Sequence, residues 1–323
     1  MLMKAMIYEQ YGSPEVLRVK EVERPSPKEH EVLVKVSATT VTSGDVRMRK
    51  ADPFGVRLYN GLTRPKRFKV LGSEFAGTVA AVGKKVTHFK TGDRVFGGTG
   101  TKLGANVEYL CVAESGAIAT LPETISFEDA AALPFGAATS LYFLMEKGTV
   151  QAGQKVLIYG ASGALGVYAV QLAKSLRAHV TAVCGTRNMD MVKSLGADRV
   201  IDYTQSDFTK TGERYDVIYD TLGKSPISGS LHSLEKDGIY LRAVHMELPH
   251  IIRGIWTNLS GGKKVIGGVA VLRKEQIDFI KDLLISGKLK PVVDRKFPFD
   301  KIAEAHRYVE QGRKKGAVVL AVG

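Results

Sequence analysis

Three glycines, Gly160, Gly163 and Gly166, recur at every third position of the segment GASGALG. Glycine lets the backbone come close to a phosphate, and the free amides and positive dipole end of a following helix favour an anion. The apolar run KVLIYG precedes the segment, and apolar residues at helical spacing follow it. This context is typical of a turn that binds a dinucleotide pyrophosphate, whereas the glycines alone would also be explained by tight packing. The expected contacts are Gly160, Ser162, Gly163, Ala164 and Leu165.

The end of the next strand bears on which dinucleotide binds. An acidic residue there would bond the ribose 2′-hydroxyl and repel a 2′-phosphate. The sequence offers Cys184-Gly185-Thr186-Arg187 instead, and the next carboxylate is Asp190. A guanidinium is a planar donor suited to phosphate, so Thr186 and Arg187 favour NADPH, the alternative being that Arg187 is a solvated surface side chain. Tyr203, at the end of the following strand, is a second candidate for the 2′-phosphate.

The elements around these residues indicate a parallel sheet. From about residue 155, strand-like and helix-like segments alternate, beginning with KVLIYG (155–160) and ending with GIYLRAV (238–244) and KKVIGGVAV (263–271). Such alternation indicates right-handed βαβ crossovers with helices on both faces of the sheet. The helix KEQIDFIKDLLISG (274–287) would complete this domain.

The remainder of the chain is different in kind. Before about residue 125, short apolar or alternating runs are punctuated by glycine and proline, which is typical of a β-rich body. After Lys290 the chain is strand-like again, with one helix over 300–312. The sequence therefore predicts an α/β protein in which residues 1–125 and 290–323 form the β-rich domain. Residues 126–289 form the dinucleotide-binding domain.

Composition limits the partners. The 323 residues carry a net charge of +13, but the cations are dispersed, and we interpret the short clusters at 64–69 and 313–315 as lacking interleaved aromatic residues. A basic surface that attracts a polyanionic dinucleotide is the simpler interpretation, so neither a specific nucleic acid nor a membrane is expected as a partner. The N-terminal apolar stretch is too short for a secretory signal, and only Cys111 and Cys184 are present, so a cytoplasmic location is expected.

Ordered blocks of the chain resemble the medium-chain dehydrogenase/reductase superfamily over essentially its whole length, and within it the zeta-crystallin-like quinone oxidoreductases. The blocks include LGSEFAGTV (71–79), VLIYGASGALGVYAVQLAK (156–174), SLGADRVIDY (194–203) and the stretch 287–320. The resemblance implies a GroES-like β-rich catalytic domain and a Rossmann domain. It also implies a homodimer, in which an edge strand in KKVIGGVAV would pair across a two-fold axis.

The same resemblance implies that no zinc is bound. In zinc-dependent members a Gly-His-Glu block supplies a metal-binding histidine, and here that block reads Gly72-Ser73-Glu74. The first ligand, a cysteine, would lie near Thr42, yet no cysteine precedes Cys111. A tetrahedral zinc site needs three or four thiolate, imidazole or carboxylate groups, so no metal site is expected.

The resemblance also suggests catalytic residues. Zinc-free members commonly carry Asn-x-x-Asp where this chain has Thr42-Ser43-Gly44-Asp45, and we expect Thr42 to contact the nicotinamide ribose or a substrate oxygen. Asp45 is interpreted as structural, capping the following turn. Tyr59 is a candidate proton donor or substrate wall, the alternative being an exposed loop residue. Further positions expected to line the cofactor cleft are Thr139, Gly267, Gly268 and Val269, with packing as the alternative for the glycines, and Lys315 on its distal side.

These observations predict hydride transfer from NADPH to a quinone or an α,β-unsaturated carbonyl compound without zinc. Two alternatives stay open. One is an NADPH-binding sensor or nucleic-acid-binding protein with little turnover, suggested by the charge and the altered 42–45 block. The other is an alcohol or aldehyde dehydrogenase with an unusual metal site.

Overall fold

The computed structural model describes residues 1–243 and 262–323, and the chain divides into two compact units. Unit 1 comprises Met1–Phe135, Val271–Ser286 and Pro291–Gly323, and unit 2 comprises Gly136–Ala270 and Gly287–Lys290. The C-terminal segment thus belongs to the same unit as the N-terminal segment. The sequence boundaries at 126 and 289 stay predictions.

The strands of the described residues lie in three sheets, one of them a two-stranded hairpin. In chain order they are β1 (Leu2–Tyr8), β2 (Leu17–Glu23), β3 (Glu31–Thr40), β4 (Glu74–Val82), β5 (Arg94–Gly98), β6 (Tyr109–Ala113), β7 (Ile118–Thr120), β8 (Lys155–Tyr159), β9 (His179–Cys184), β10 (Arg199–Asp202), β11 (Tyr215–Asp220), β12 (Leu234–Arg242), β13 (Lys264–Gly267), β14 (Val293–Pro298) and β15 (Ala317–Ala321). The last residue of the expected strand 238–244 lies outside the described residues.

The helices are mostly short. They are α1 (Ser43–Lys50), α2 (Gly55–Asn60), α3 (Phe127–Ala131), α4 (Pro134–Leu141), α5 (Gly166–Ser175), α6 (Met189–Ser194), α7 (Ile227–His232), α8 (Lys274–Ile285) and α9 (Ile302–Glu310), with a π-helical turn over Tyr142–Lys147. Within the two described ranges, none of the helices has both the length and the apolar content that crossing a bilayer requires.

Unit 1 is built on a β-sheet in the order β14-β15-β3-β4-β5-β7, with β6 also paired to β3. All of its pairs are antiparallel except β14 with β15. Val32, Val34 and Val36 alternate along β3 and are buried in one apolar cluster with Phe75 of β4. This alternation places one face of the sheet on the core, as period-two side chains require. The β-rich prediction for this part of the chain is confirmed.

Unit 2 contains a parallel sheet in the order β10-β9-β8-β11-β12-β13. This is the doubly wound order, in which the first strand along the chain lies in the middle and the chain continues outward on both sides of it. Dinucleotides bind such sheets at the carboxyl ends of the central strands, where the strand order reverses. The predicted Rossmann architecture is therefore confirmed, and β8 leads directly into the glycine segment.

Candidate functional site

Residues 160–166, the glycine turn, connect β8 to α5 at the carboxyl edge of the unit 2 sheet. Gly160 has φ +80°, and a Cβ there would lie 2.6 Å from the Leu222 side chain. A Cβ on Gly166 would lie 2.2 Å from the Gly160 carbonyl oxygen, so backbone atoms forbid it. A Cβ on Gly163 would meet nothing closer than 3.4 Å. Two glycines are thus needed by the fold itself, whereas Gly163 leaves space on the open side of the turn.

The backbone donors of the glycine turn are partly free. The Gly163 N–H donates to the Gly160 carbonyl at 3.1 Å. Across residues 1–243 and 262–323, the backbone N–H groups of Ser162, Ala164 and Leu165 donate no hydrogen bond. Three free donors before the first turn of a helix suit a phosphate group, because the helix dipole also favours negative charge there. The residues present therefore fit a dinucleotide pyrophosphate.

Neighbouring elements hold the glycine turn in place. A Cβ on Gly136 of α4 would lie 2.3 Å from the Ala164 carbonyl oxygen, so α4 packs directly on the turn. The Ser140 hydroxyl donates to the Leu165 carbonyl at 2.9 Å. Sequence reasoning missed both residues, although their spacing of four places them on one helix face. Thr139, a predicted cofactor contact, precedes Ser140 and is 9% exposed.

Predicted contacts for a 2′-phosphate come together at the ends of β9 and β10. Thr186 and Arg187 are exposed, and the Tyr203 ring lies against Gly185, 3.4 Å from where a Cβ would stand. Asn188 donates from Nδ2 to the Ser162 hydroxyl at 3.0 Å, which ties this region to the glycine turn. Because Arg187 and Tyr203 are accessible, both can contact a ligand at this edge.

The carboxylate of Asp202 lies beside Thr186, which the sequence analysis did not predict because the two residues belong to different elements. Asp202 ends β10, which pairs with β9 so that this residue lies opposite Cys184. The Thr186 hydroxyl donates to one Asp202 oxygen at 2.5 Å, and the N–H and hydroxyl of Thr204 donate to the other at 2.9 and 2.8 Å. These hydrogen bonds, that of Thr186 foremost, lower the pKa of Asp202. Its acceptors are therefore committed to holding the loop that carries Thr186.

The remaining unit 2 candidates lie at the end of β13 and directly after it. Gly267 is the last residue of that strand, and β13 is the outer strand of the sheet, paired with β12. A Cβ on Gly268 would meet only the Tyr142 hydroxyl, at 3.9 Å, but φ is +159° there, so the backbone conformation rather than packing favours glycine. Val269 is 76% exposed. Their role in cofactor binding stays a prediction.

In unit 1, Thr42 is the N-cap of α1 and forms a capping box with Asp45. The Asp45 N–H donates to the Thr42 hydroxyl at 3.2 Å, and the Asp45 carboxylate accepts from the N–H and the hydroxyl of Thr42, both at 2.7 Å. Asp45 also accepts from the Gly72 N–H at 2.8 Å. Burial raises the pKa of Asp45, and these bonds oppose the rise. The Thr42 hydroxyl thus donates its proton in a hydrogen bond to Asp45, so toward a further group it can act only as an acceptor.

A second buried carboxylate, Glu74, lies at the start of β4. It accepts hydrogen bonds from the Thr40 hydroxyl and from the Phe135 N–H, the latter at 2.7 Å. Burial raises the pKa of Glu74 to about 7, against the lowering effect of Thr40. Desolvation lowers the pKa of Lys314 to about 8, and the attraction of Glu74 opposes that change. Sequence reasoning missed this pair because the two residues are far apart in the chain.

Ser73 precedes Glu74 and is 9% exposed. A neutral hydroxyl is a poor substitute for an imidazole or thiolate as a zinc ligand. No cluster of three or more histidine, cysteine, aspartate or glutamate side chains suited to a metal occurs in the parts of the chain that the structure describes.

Tyr59 and Lys315 are the last two candidates, both in unit 1. Tyr59 is 48% exposed on α2, and the Arg67 guanidinium carbon lies 4.4 Å from its ring centroid. The Lys315 N–H donates to Asp294 at 3.1 Å. Neither contact tests the catalytic role predicted for Tyr59 or the cofactor role predicted for Lys315.

Two family models match the chain. Residues 28–133 match the alcohol dehydrogenase GroES-like domain, and residues 195–320 match a family described as zinc-binding dehydrogenase. Both matches agree with the fold of the two units.

Similar proteins cover the whole length. The chain is 33% identical to a 2-methylene-furan-3-one reductase of Solanum lycopersicum over 98% of this chain and 79% of that protein. A quinone oxidoreductase from Coxiella burnetii has a structure with a TM-score of 0.89 at 27% identity, with 100% of each chain covered. The Escherichia coli quinone oxidoreductase, complexed with NADPH, gives a TM-score of 0.82 at 27% identity, covering 99% of this chain and 100% of that one.

Proposed function

Because the chain belongs to the quinone oxidoreductase branch of the medium-chain dehydrogenase/reductase superfamily, we propose that it is an NADPH-dependent reductase of quinones or α,β-unsaturated carbonyl compounds. The observation that carries this proposal is the glycine turn, where the backbone N–H groups of Ser162, Ala164 and Leu165 form no hydrogen bond with any described residue at the start of a helix. When bound, the reduced nicotinamide would supply hydride to an electron-poor carbon or quinone.

The chain's own residues would bind and orient the coenzyme. The three free amides would hold the pyrophosphate, and Arg187 would pair with the 2′-phosphate through a charge-assisted bond. Asp202 fixes Thr186 beside Arg187. The preference for NADPH over NADH rests on the accessible Arg187 guanidinium and on the hydrogen bonds that Thr186 and Thr204 donate to the Asp202 carboxylate.

Thr42 is proposed as a polar contact rather than a proton donor. Its hydroxyl proton is directed at Asp45, so what it can offer a nicotinamide ribose or a substrate hydroxyl is a lone pair. The proton that completes the reduction would then come from Tyr59 or from water.

We further propose that zinc takes no part, because Ser73 lacks a ligand group of the required kind and no cysteine precedes Cys111. The family description that includes zinc gives the alcohol dehydrogenase alternative a specific test. Elemental analysis of purified protein is expected to find no stoichiometric zinc. Stoichiometric zinc, with activity lost on chelation, would favour the alcohol dehydrogenase.

The function itself is tested by incubating the protein with NADPH and a panel of quinones, enones, aldehydes and alcohols while following the absorbance of the reduced nicotinamide. Acceptor-dependent oxidation with quinones or enones is the expected result. Tight NADPH binding without turnover on any acceptor would favour the sensor alternative.

The assembly and location stay proposals as well. In the strand order of the described residues β13 is last in the unit 2 sheet, and the family resemblance suggests that it pairs with a second copy across a two-fold axis. A homodimer is therefore expected in light scattering, and a monomer would contradict it. A cytoplasmic location is proposed from the sequence and is checked by fractionating cells that make the protein.

A further inference from the structure

Residues 53–69, hereafter the docking segment, form an unusual surface in unit 1. The chain carries no aspartate or glutamate from Pro53 to Ser73. Within the docking segment the cations are Arg57, Arg64, Lys66, Arg67 and Lys69. Glu9, which interacts electrostatically with Arg64 and Lys69, is already paired with Lys20 at 2.8 Å. The docking segment itself therefore carries positive charge only.

Large apolar side chains lie among these cations. Phe54, Leu58 and Leu62 are 66%, 71% and 59% exposed. Their spacing of four residues along and just beyond α2 places the first two on one side of the helix. Such side chains are usually buried, and an exposed group of them marks an interaction surface.

Their exposure does not come from poor local packing. The Asn60 carbonyl accepts from the Lys66 N–H at 2.7 Å, and the Asn60 side chain accepts from the Phe68 N–H at 2.8 Å. Asn60 also donates to the Tyr8 hydroxyl at 2.8 Å, while Val56 is buried beneath the helix. The docking segment is thus a folded element that turns Val56 and Phe68 inward and Phe54, Leu58 and Leu62 outward.

We infer that the docking segment binds the surface of an anionic lipid bilayer. The exposed apolar side chains would enter the boundary between headgroups and acyl chains, while the cations would pair with lipid phosphates. Leu58 and Leu62 are aliphatic, which favours this partner over single-stranded nucleic acid, because nucleic acid is held chiefly by stacking on aromatic rings. Phe68 lies within the cluster 64–69, and the Arg67 guanidinium lies over its ring and over that of Tyr59, which corrects the sequence interpretation that the cluster lacks aromatic residues.

This contact would be peripheral, so it differs from a membrane-spanning segment and revises the expectation that no membrane is a partner. It goes beyond the proposed reductase function and does not depend on it, because vesicle binding is measured without coenzyme or acceptor. Failure of one proposal therefore leaves the other standing.

The test is cosedimentation of the full chain with vesicles of phosphatidylcholine alone and of phosphatidylcholine mixed with phosphatidylglycerol. Binding to the mixed vesicles is expected, with at least about tenfold weaker partitioning onto pure phosphatidylcholine. The double variant Phe54→Ser/Leu58→Ser and the double variant Lys66→Glu/Lys69→Glu are each expected to weaken binding to mixed vesicles about tenfold or more.

Matched controls place the same changes elsewhere. Val271→Ser/Ile285→Ser alters two side chains that are 63% and 60% exposed, and Lys84→Glu/Lys90→Glu changes the net charge equally. Both controls should bind vesicles as the unchanged chain does, and thermal unfolding checks that all four variants fold. Absence of vesicle binding, equal losses in the controls, or preferential binding of single-stranded RNA that also depends on Leu58 would overturn the inference.

Discussion

The glycine turn of unit 2 and the capping residues of unit 1 differ in whether their polar groups are hydrogen-bonded within the protein. In the glycine turn, the backbone N–H groups of Ser162 and Ala164 are left without acceptors among the described residues. In unit 1, the polar atoms of Thr42 and Asp45 are hydrogen-bonded to each other and to Gly72. Free donors indicate a place for a ligand, whereas satisfied donors and acceptors indicate a rigid support. We therefore assign most of the coenzyme affinity to unit 2.

Substitutions at two glycines of the turn distinguish a role in packing from a role in ligand binding. One of them, Gly166→Ala, has the largest expected effect on stability. Gly166→Ala would drive a methyl group into the Gly160 carbonyl, so a loss of about 3 kcal/mol in the free energy of unfolding is expected. Gly163→Ala has space for its Cβ and should change that free energy by less than about 0.5 kcal/mol, while weakening NADPH binding. Urea unfolding and calorimetry measure both. Equal destabilisation by the two variants would show that the turn serves packing only.

Asp45→Ala tests the opposite region. It removes the acceptor for the Thr42 N–H, the Thr42 hydroxyl and the Gly72 N–H, so a loss of about 2 kcal/mol in the free energy of unfolding is expected. NADPH affinity should change far less than the stability does. A variant that folds as well as the unchanged chain but loses NADPH binding would reverse the assignment of the two regions.

Arg187→Ala tests whether the exposed Arg187 guanidinium binds the 2′-phosphate of NADPH. Loss of one charge-assisted bond to the 2′-phosphate should weaken NADPH binding about tenfold to thirtyfold and leave NADH binding unchanged. Lys193→Ala, which removes a cation from the nearby helix α6, is the matched control. Equal weakening of NADPH and NADH binding would mean that Arg187 does not contact the 2′-phosphate.

Glu74 gives an effect that depends on pH. Its pKa in the folded protein is about 7, above its ordinary value, so the folded state holds the proton more tightly. The resulting stability is fully present below about pH 4.5 and is lost as the pH rises through about 7, at up to about 1.4 kcal/mol per pH unit. Lys314, with its lowered pKa, has the opposite dependence at higher pH, as its stabilisation is lost when the pH falls through about 8.

Glu74→Gln should therefore gain stability relative to the unchanged chain as the pH rises from about 5 to about 7. Urea unfolding at several pH values measures this difference. Parallel stability curves for the two proteins would show that Glu74 keeps an ordinary pKa.

The features that could be predicted from the sequence are those formed by residues close together in the chain. The strand, glycines and helix at residues 155–175 are contiguous, so their order alone indicates a phosphate-binding turn. The packing of Gly136 on Ala164 and the bond from Thr186 to Asp202 join different elements, and no spacing rule reveals them. The same holds for Glu74 and Lys314. In the docking segment α2 spans only six residues, too few for periodicity to show that Leu58 faces outward.

The most direct measurement is calorimetric titration of the unchanged chain with NADPH and, separately, with NADH. Three free amides would serve both coenzymes, and Arg187 would favour the one with the additional phosphate. We predict that both coenzymes bind and that NADPH binds at least about tenfold more tightly. Equal affinities, or no binding of either coenzyme, would contradict it.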